Sequence, residues 1–422
     1  MVPPDQGYRA RIADRLLDEA LGVLGAVVIE GPRACGKTET ARRHTASEVL
    51  LDLDADARAA AAIDPRLVLE GRTPRLLDEW QREPRLWDAV RRAVDDRRLP
   101  GQFVLTGPAM PTDDVSRHSG AGRFSVLRMR PMTLFEQGHS TGAVSLGELL
   151  AGETPSAGQC GLELRAYADR TVIGGWPGLL GRPVREAGVF LRGYLDGVVE
   201  HDVALASGTR RDPEKVRRFL RAYAQLTAHP VSVAKLVQRA SGGETNSGSL
   251  TRFAAEPYLE ALRRLMIVDE VEAWNVALRS RARLMSTPKR HLVDPSLAAT
   301  LMDCAPQRLL GDLNTFGYLF ESLATRDVRV YAQANDASVF YYRERGGELE
   351  VDLVVERRDG AWVGIEVKLG GNLVDQAAAA LRQLSETRVT APAACLVVLT
   401  ATEYAYRRED GVLVLPLGLL GP

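Results

Sequence analysis

Apolar and polar positions follow two rhythms along this chain. Over residues 9–24, Ile12, Leu16, Leu17, Ala20 and Leu21 recur at helical spacing, which predicts an amphipathic helix. The apolar run Ala26–Ile29 follows and reads as a buried strand. A Gly-rich turn at 31–36 then leads into TETARRHTA, the start of a second helix. Further buried strands are predicted at Val49–Leu53, Arg75–Asp78 and Phe103–Thr106, separated by helical stretches at 55–70 and 84–98. Strands alternating with helices predict a parallel sheet covered on both faces. The segment 107–122, rich in Gly, Pro, Ser and Asp, reads as a loop.

From about 146 to 240 the rhythm is mostly helical, broken by Gly-Gly-Trp-Pro at 174–177. Small helices span 214–265 around a polar turn at 241–248, and the extended segment Met266–Val271 comes next. Beyond residue 310 a helix at Leu313–Thr325 gives way to strands at 338–343, 349–356 and 361–368. A helix at 373–386 and a strand at 395–400 complete an α/β pattern. No internal repeat is visible.

Composition narrows this picture. At roughly 150 residues per domain, 422 residues suggest about three domains. The 54 basic residues balance 55 acidic ones, so no global field draws the chain to nucleic acid or membrane. Only five of the basic residues are lysine: Lys37, Lys215, Lys235, Lys289 and Lys368. The four cysteines are far apart with no Cys-x-x-Cys pair, which argues against a disulfide framework or a local zinc site. The first twenty residues lack the apolar core of a signal peptide, and no apolar run reaches the ~20 residues that span a bilayer. A cytoplasmic protein without a membrane partner is expected.

Gly31-Pro32-Arg33-Ala34-Cys35-Gly36-Lys37-Thr38 has the spacing Gly-x-x-x-x-Gly-Lys-Thr, after a predicted strand and before a predicted helix. Glycines let the backbone amides turn toward phosphate oxygens, and the helix amino end adds partial positive charge. Lys37 is then expected to reach the β- and γ-phosphates of ATP, Thr38 to ligate Mg2+, and Glu39, next in the helix, to complete the nucleotide-binding set of residues 31–39. About 0.004 such matches arise by chance in a chain of this composition. Cys35 reads more simply as a small filler than as a redox group.

Arg75-Leu76-Leu77-Asp78-Glu79 is an apolar strand ending in two acids. Beside a phosphate loop, Asp78 is expected to hold Mg2+ through water, and Glu79 to orient and deprotonate the attacking water. Thr106, at the end of a neighbouring strand, is placed to sense the γ-phosphate. Arg123 is the candidate for an arginine that neutralises transition-state charge, in cis or from a neighbouring subunit of a homo-oligomer; a solvated surface arginine is the competing reading.

A second chemical candidate is Glu350-Val351-Asp352 followed by Glu366-Val367-Lys368. A three-residue turn at Arg358-Asp359-Gly360 sets Asp352 opposite Glu366, with Val363, Ile365 and Val367 in a core. Two carboxylates and an ammonium on one patch can hold a divalent metal against a phosphodiester. The competing reading is a cross-strand ion pair. Finally, Arg279, Arg281, Arg283, Lys289 and Arg290 fall in an acid-free stretch at 273–293, which suits a DNA-binding ribbon but also a solvated loop or a protein-docking surface.

Taken in order, GPRACGKT (31–38), LLDEWQ (76–81), FVLTG (103–107), GAGR followed by RPMTLFE (120–136), GGWP (174–177), GYLFES (317–322) and ELEVDLVVE…GIEVKLG (348–370) resemble one family. It is the predicted AAA-type P-loop ATPases of bacteria and archaea with a C-terminal domain of unknown function. The resemblance spans nearly the whole chain. It implies an AAA-like ATPase domain (1–145), a helical connector (146–210), a winged-helix-like domain (211–295) and a restriction-endonuclease-like domain (296–422). It further implies ATP and Mg2+ as cofactors, and adds Glu321 as an upstream helical acid to the metal set of Asp352 and Glu366. Pro108 departs from the pattern, which usually has Ser after Leu-Thr-Gly. The expected function is ATP hydrolysis coupled to DNA binding or remodelling, with metal-dependent cleavage as an addition. The alternative is an ATP-dependent switch acting on a protein partner. A small-molecule kinase is disfavoured, because Asp78-Glu79 suits water activation.

Overall fold

The computed structural model describes residues 7–107, 120–153, 158–208, 211–242, 252–275, 287–344 and 346–422. The N-terminal part is built on five parallel strands: β1 (Ala26–Glu30), β2 (Ser47–Leu50), β3 (Arg75–Asp78), β4 (Phe103–Gly107) and β5 (Phe124–Arg128). They lie in the order β2-β3-β4-β1-β5. Period-2 alternation decides which face each residue supplies. Ala26 and Val28 pack with Leu77, Leu105, Trp80 and Trp87 on one face. Val27 and Ile29 pack with Leu76, Val104 and Leu17 of the helix Ile12–Val23 on the other. The second strand departs from expectation. It ends at Leu50 rather than Leu53, because residues 51–53 turn into the helix Ala55–Ile63, whose amino end Asp54 caps. The helical stretch at 55–70 is also interrupted, at Asp64-Pro65, and continues only as a short tight turn.

The C-terminal part is a mixed seven-stranded sheet. Its strands include β8 (Ala337–Arg343), β9 (Glu350–Arg357), β10 (Trp362–Lys368), β11 (Cys395–Thr400), β12 (Tyr404–Arg407) and β13 (Leu413–Pro416). The order is β7-β12-β13-β11-β10-β9-β8, and its first strand, β7, is the short segment Gly158–Gln159. Another short strand, β6 (Val144–Ser145), pairs with β14 (Leu420–Gly421) at the chain end. Thus Val144–Ser145 and Gly158–Gln159 both pair with strands of the C-terminal unit. The helix Leu313–Ala334 runs nine residues past its expected end and covers one face of the large sheet. The helix Val374–Thr387 covers the other, over Trp362, Val354, Val398 and Val414.

Between the two sheets lie the helices Pro213–Gln225, Val233–Ala240 and Arg252–Arg264, followed by extended segments that bridge Val268 to Leu292 and Val271 to Lys289. Ala273 continues this ribbon onto the edge of β8, beside Tyr341, and Trp274 packs on Trp362. One apolar core runs from Leu134 through the middle helices to Leu420. The middle and C-terminal parts therefore share a core, while the N-terminal sheet has its own. Among the described residues, no helix is long and apolar enough to cross a membrane.

Candidate functional site

The phosphate loop leaves β1 at its carboxyl end and turns twice through positive φ, at Ala34 (60°) and Gly36 (102°). Such alternation turns successive amides to one side and forms an anion-binding concavity. The helix Lys37–Arg43 starts directly behind it. Lys37 is buried, and its ammonium donates to the carbonyls of Gly31 and Pro32, both at 2.9 Å. It spans its own loop, and among the described residues no acid is ion-paired with it. Cys35 is buried with its sulfur 4.0 Å from the Met129 carbonyl, which fits a packing role. Glu39 points outward to Arg42, so only its backbone faces the loop side of the helix.

Register brings the rest together. Asp78 pairs with Thr106, and Thr106 with Ile29, so β4 stands between the acidic strand and the loop. The buried Asp78 carboxylate accepts from Thr38 Oγ1 at 2.9 Å and from Thr106 Oγ1. Glu79 follows in a left-handed conformation (φ 53°), which takes its side chain off the strand line. Burial raises the Glu79 carboxyl above its ordinary range, opposed by the hydrogen bond from Gln81 and by the charges of Lys37 and Arg33. Thr38, Asp78, Thr106, Glu79 and Lys37 therefore meet, as their sequence positions suggested. The donor set fits ATP with Mg2+: an amide-lined loop, an ammonium held by loop carbonyls, and a hydroxyl already paired with a carboxylate.

Arg123 is elsewhere. Its carbonyl accepts from the Ala26 amide, level with the start of β1, whereas the phosphate loop leaves the strand's other end. Its guanidinium is paired with Asp95 at 2.8 Å. A transition-state role in cis is thereby corrected: the sheet's length separates the two.

Two contacts that sequence reasoning missed close around the loop. Arg33 pairs with Asp202 at 3.0 Å, from the helical part. Burial raises the Asp202 carboxyl, and Arg33 opposes that shift. The GGWP segment also docks here. Met132 donates to the Gly175 carbonyl at 2.6 Å, and a Cβ on Gly175 would stand 2.1 Å from the Met132 carbonyl oxygen. Only glycine admits that approach. From the other side, Arg11 donates to the carbonyls of Cys35 and Arg130 and pairs with Glu136 at 3.0 Å.

The C-terminal hairpin has the expected register, from Trp362 opposite Glu356 to Ile365 opposite Leu353. At its end the ladder gives way to a side chain, as Asp352 Oδ2 accepts from the Val367 amide at 2.9 Å. Lys368 lies 2.6 Å from Glu366 and 3.2 Å from Asp352. Glu321, from the helix Leu313–Ala334, approaches the same patch. The centre of the cluster is Lys289. Its ammonium, 1% exposed, lies 2.8 Å from Glu321, 3.2 Å from Asp352 and 3.6 Å from Glu350. Burial alone would raise Asp352, but Lys289 and Lys368 outweigh it and hold the carboxyl below its usual range. Burial pushes Glu321 up to about 8, with the Asp352 charge adding to it. Among the described residues, no three of His, Cys, Asp and Glu are placed to hold a metal ion. A cavity of about 990 Å³ opens beside the cluster, lined in part by His229, Tyr318, Asn372 and Gln376.

The expected basic ribbon is also corrected. Arg279, Arg281 and Arg283 lie outside the described residues. Lys289 and Arg290 are buried rather than displayed, Lys289 in the carboxylate cluster and Arg290 against Glu270 and the Val231 carbonyl. An acid-free stretch signals spare positive charge only if its partners are absent. Here the partners arrive from residues far away in sequence.

Comparison with known proteins divides the chain in three. Residues 25–137 match the model of an AAA domain, 164–308 a domain of unknown function (DUF8612), and 316–420 a domain of unknown function (DUF4143). The uncharacterized protein Rv2008c of Mycobacterium tuberculosis is 24% identical over 412 residues, covering 96% of this chain and 83% of the relative. The uncharacterized protein Mb2031c of Mycobacterium bovis matches to the same extent. Among solved structures, the Walker-type ATPase PABY2304 of Pyrococcus abyssi is similar with a TM-score of 0.42 and 14% identity, covering 68% of this chain and 94% of that one.

Proposed function

Since the chain is a P-loop protein of AAA type with a C-terminal domain of unknown function, we propose that it hydrolyses ATP and uses the cycle to change how its middle and C-terminal parts hold DNA. The observation that carries the hydrolytic half is the meeting of Thr38, Asp78 and Thr106 beside the loop, with Glu79 one residue beyond.

Loop amides and the helix amino end bind the phosphates. Lys37 exchanges its two loop carbonyls for phosphate oxygens, at little cost, because the groups that hold it are neutral. Thr38 and, through water, Asp78 would hold Mg2+, which supplies charge neutralisation on the phosphates when bound. Thr106 fixes the Asp78 carboxylate. Glu79 orients the water and takes its proton, and its burial-raised basicity suits that task. The water oxygen bonds to the γ-phosphorus as the bridging bond to ADP breaks.

Coupling is supported by a buried chain of polar contacts. Arg11 joins the loop to the Arg130 carbonyl, and the Arg130 guanidinium pairs with Asp269 at 2.6 Å. The Asp269 amide donates to the His291 carbonyl in the ribbon that carries Lys289. DNA is favoured as the partner by Arg279, Arg281 and Arg283, which fall between the two ribbon segments in sequence. ATP turnover measured with duplex, branched and single-stranded DNA tests this. We expect stimulation by at least one form, weakening steeply with salt. Equal turnover with and without every form would leave the second reading, a switch acting on a protein partner. The lysine-filled carboxylate cluster favours that second reading, because Lys289 and Lys368 already occupy the acids that would bring a metal and DNA to the C-terminal cavity.

A further inference from the structure

The C-terminal cluster of Asp352, Glu366 and Glu321 has the residue types of a divalent-metal site, yet its arrangement disagrees with one. We propose that Lys289 is the resident cation of this cluster: its ammonium takes the place a divalent ion would need, so the C-terminal part has no metal centre while the ribbon is docked.

Three observations carry this. The Lys289 ammonium lies within 3.6 Å of three carboxylates, from Glu321, Asp352 and Glu350. It is 1% exposed, so water does not share the work of solvating it. It also comes from outside the hairpin, on a segment fixed by mutual hydrogen bonds between Lys289 and Val271, 2.9 and 3.0 Å long. That segment is anchored on both sides. Arg290 Nε donates to the Val231 carbonyl, and the opposing strand runs on to the edge of β8.

The geometry leaves no room for both cations. A divalent ion takes oxygen ligands at about 2.0–2.6 Å. The oxygens now 2.8 and 3.2 Å from nitrogen would have to close on the metal after the ammonium left. Lys368, still paired with Asp352 and Glu366, cannot make up the difference, since it binds the other Asp352 oxygen. Each of the four acids Glu321, Glu350, Asp352 and Glu366 thus already has an ammonium within 3.6 Å, supplied by two lysines of a chain that has only five.

Binding of Mn2+ by the full chain, without nucleotide or DNA, tests the proposal by electron paramagnetic resonance. Its outcome is independent of ATP coupling. The wild type should bind no Mn2+ that Asp352→Asn removes. Lys289→Met should gain one bound Mn2+ per chain, with a higher thermal midpoint in Mn2+, and Lys289→Met/Asp352→Asn should lose both. Removing the ammonium alone can unfold the protein, so Lys289→Met/Glu321→Gln, which removes one carboxylate with it, provides a second gain-of-metal test. Asp352-dependent Mn2+ in the wild type overturns the proposal. So does a folded Lys289→Met that gains none or, where that variant is unfolded with and without Mn2+, a Lys289→Met/Glu321→Gln variant that gains none.

Discussion

The phosphate loop and the C-terminal cluster each set lysine near carboxylates at the end of a β-strand, but the lysines of the two sites are held in opposite ways. Lys37 donates to two backbone carbonyls, and the nearby acids Asp78 and Glu79 are engaged with Thr38, Thr106 and Gln81. Lys289 and Lys368 are each bound directly by two or more carboxylates. An anion entering the first site displaces neutral groups. A cation entering the second must first displace a charge in a buried setting, where an uncompensated charge costs several kcal/mol. Similar residue types thus give one site that is open to a ligand and one that is already satisfied.

Lys37→Ala should break the comparison most visibly. Loss of ATP turnover by roughly a hundredfold or more is expected from removing the ammonium at the phosphates. The thermal midpoint should stay close to that of the wild type, because the lysine holds only its own loop. A variant that kept turnover while melting early would make Lys37 a structural residue like Lys289, and the contrast between the sites would vanish.

Asp202→Asn sharpens the same contrast from the ligand's side. Asp202 is ion-paired with a side chain of the phosphate loop, Arg33. Neutralising it frees the Arg33 guanidinium and removes a negative charge near the triphosphate. ATP affinity, read by titration calorimetry, should rise by about 3–10-fold, as expected for one partly screened charge. Unchanged or weaker binding would place Arg33 and Asp202 outside the nucleotide field.

The two sites also differ in how far they were legible in the sequence. The loop was legible because its chemistry is local: Gly31 to Thr38 are contiguous, and the strand ends at Asp78 and Thr106 follow from apolar runs of ordinary length. The hairpin was legible to the same degree, since a three-residue turn and period 2 fixed Asp352 against Glu366. Lys289 was not. Its partner acids lie 32 and 63 residues away, and only the docking of the ribbon on the hairpin brings them together. The same holds for Arg33 and Asp202, and for β7 and β6, which join sheets formed far along the chain. Charge counts in a linear window see which partners are absent locally and are blind to those that folding supplies.

Arg123 is where the smallest effect is expected, and it tests that lesson. By motif order it belonged to the catalytic set. By position it directly precedes β5, at the end of the sheet opposite the phosphate loop, half-exposed and paired with Asp95. An ion pair of this exposure contributes about 0–1 kcal/mol. Arg123→Ala should therefore leave ATP turnover within about twofold of the wild type when the chain is dilute. If turnover instead rises with protein concentration in the wild type and Arg123→Ala removes that rise, the arginine serves a neighbouring subunit. In that case the open site is completed by a charge from outside the chain, just as the closed one is completed from within it.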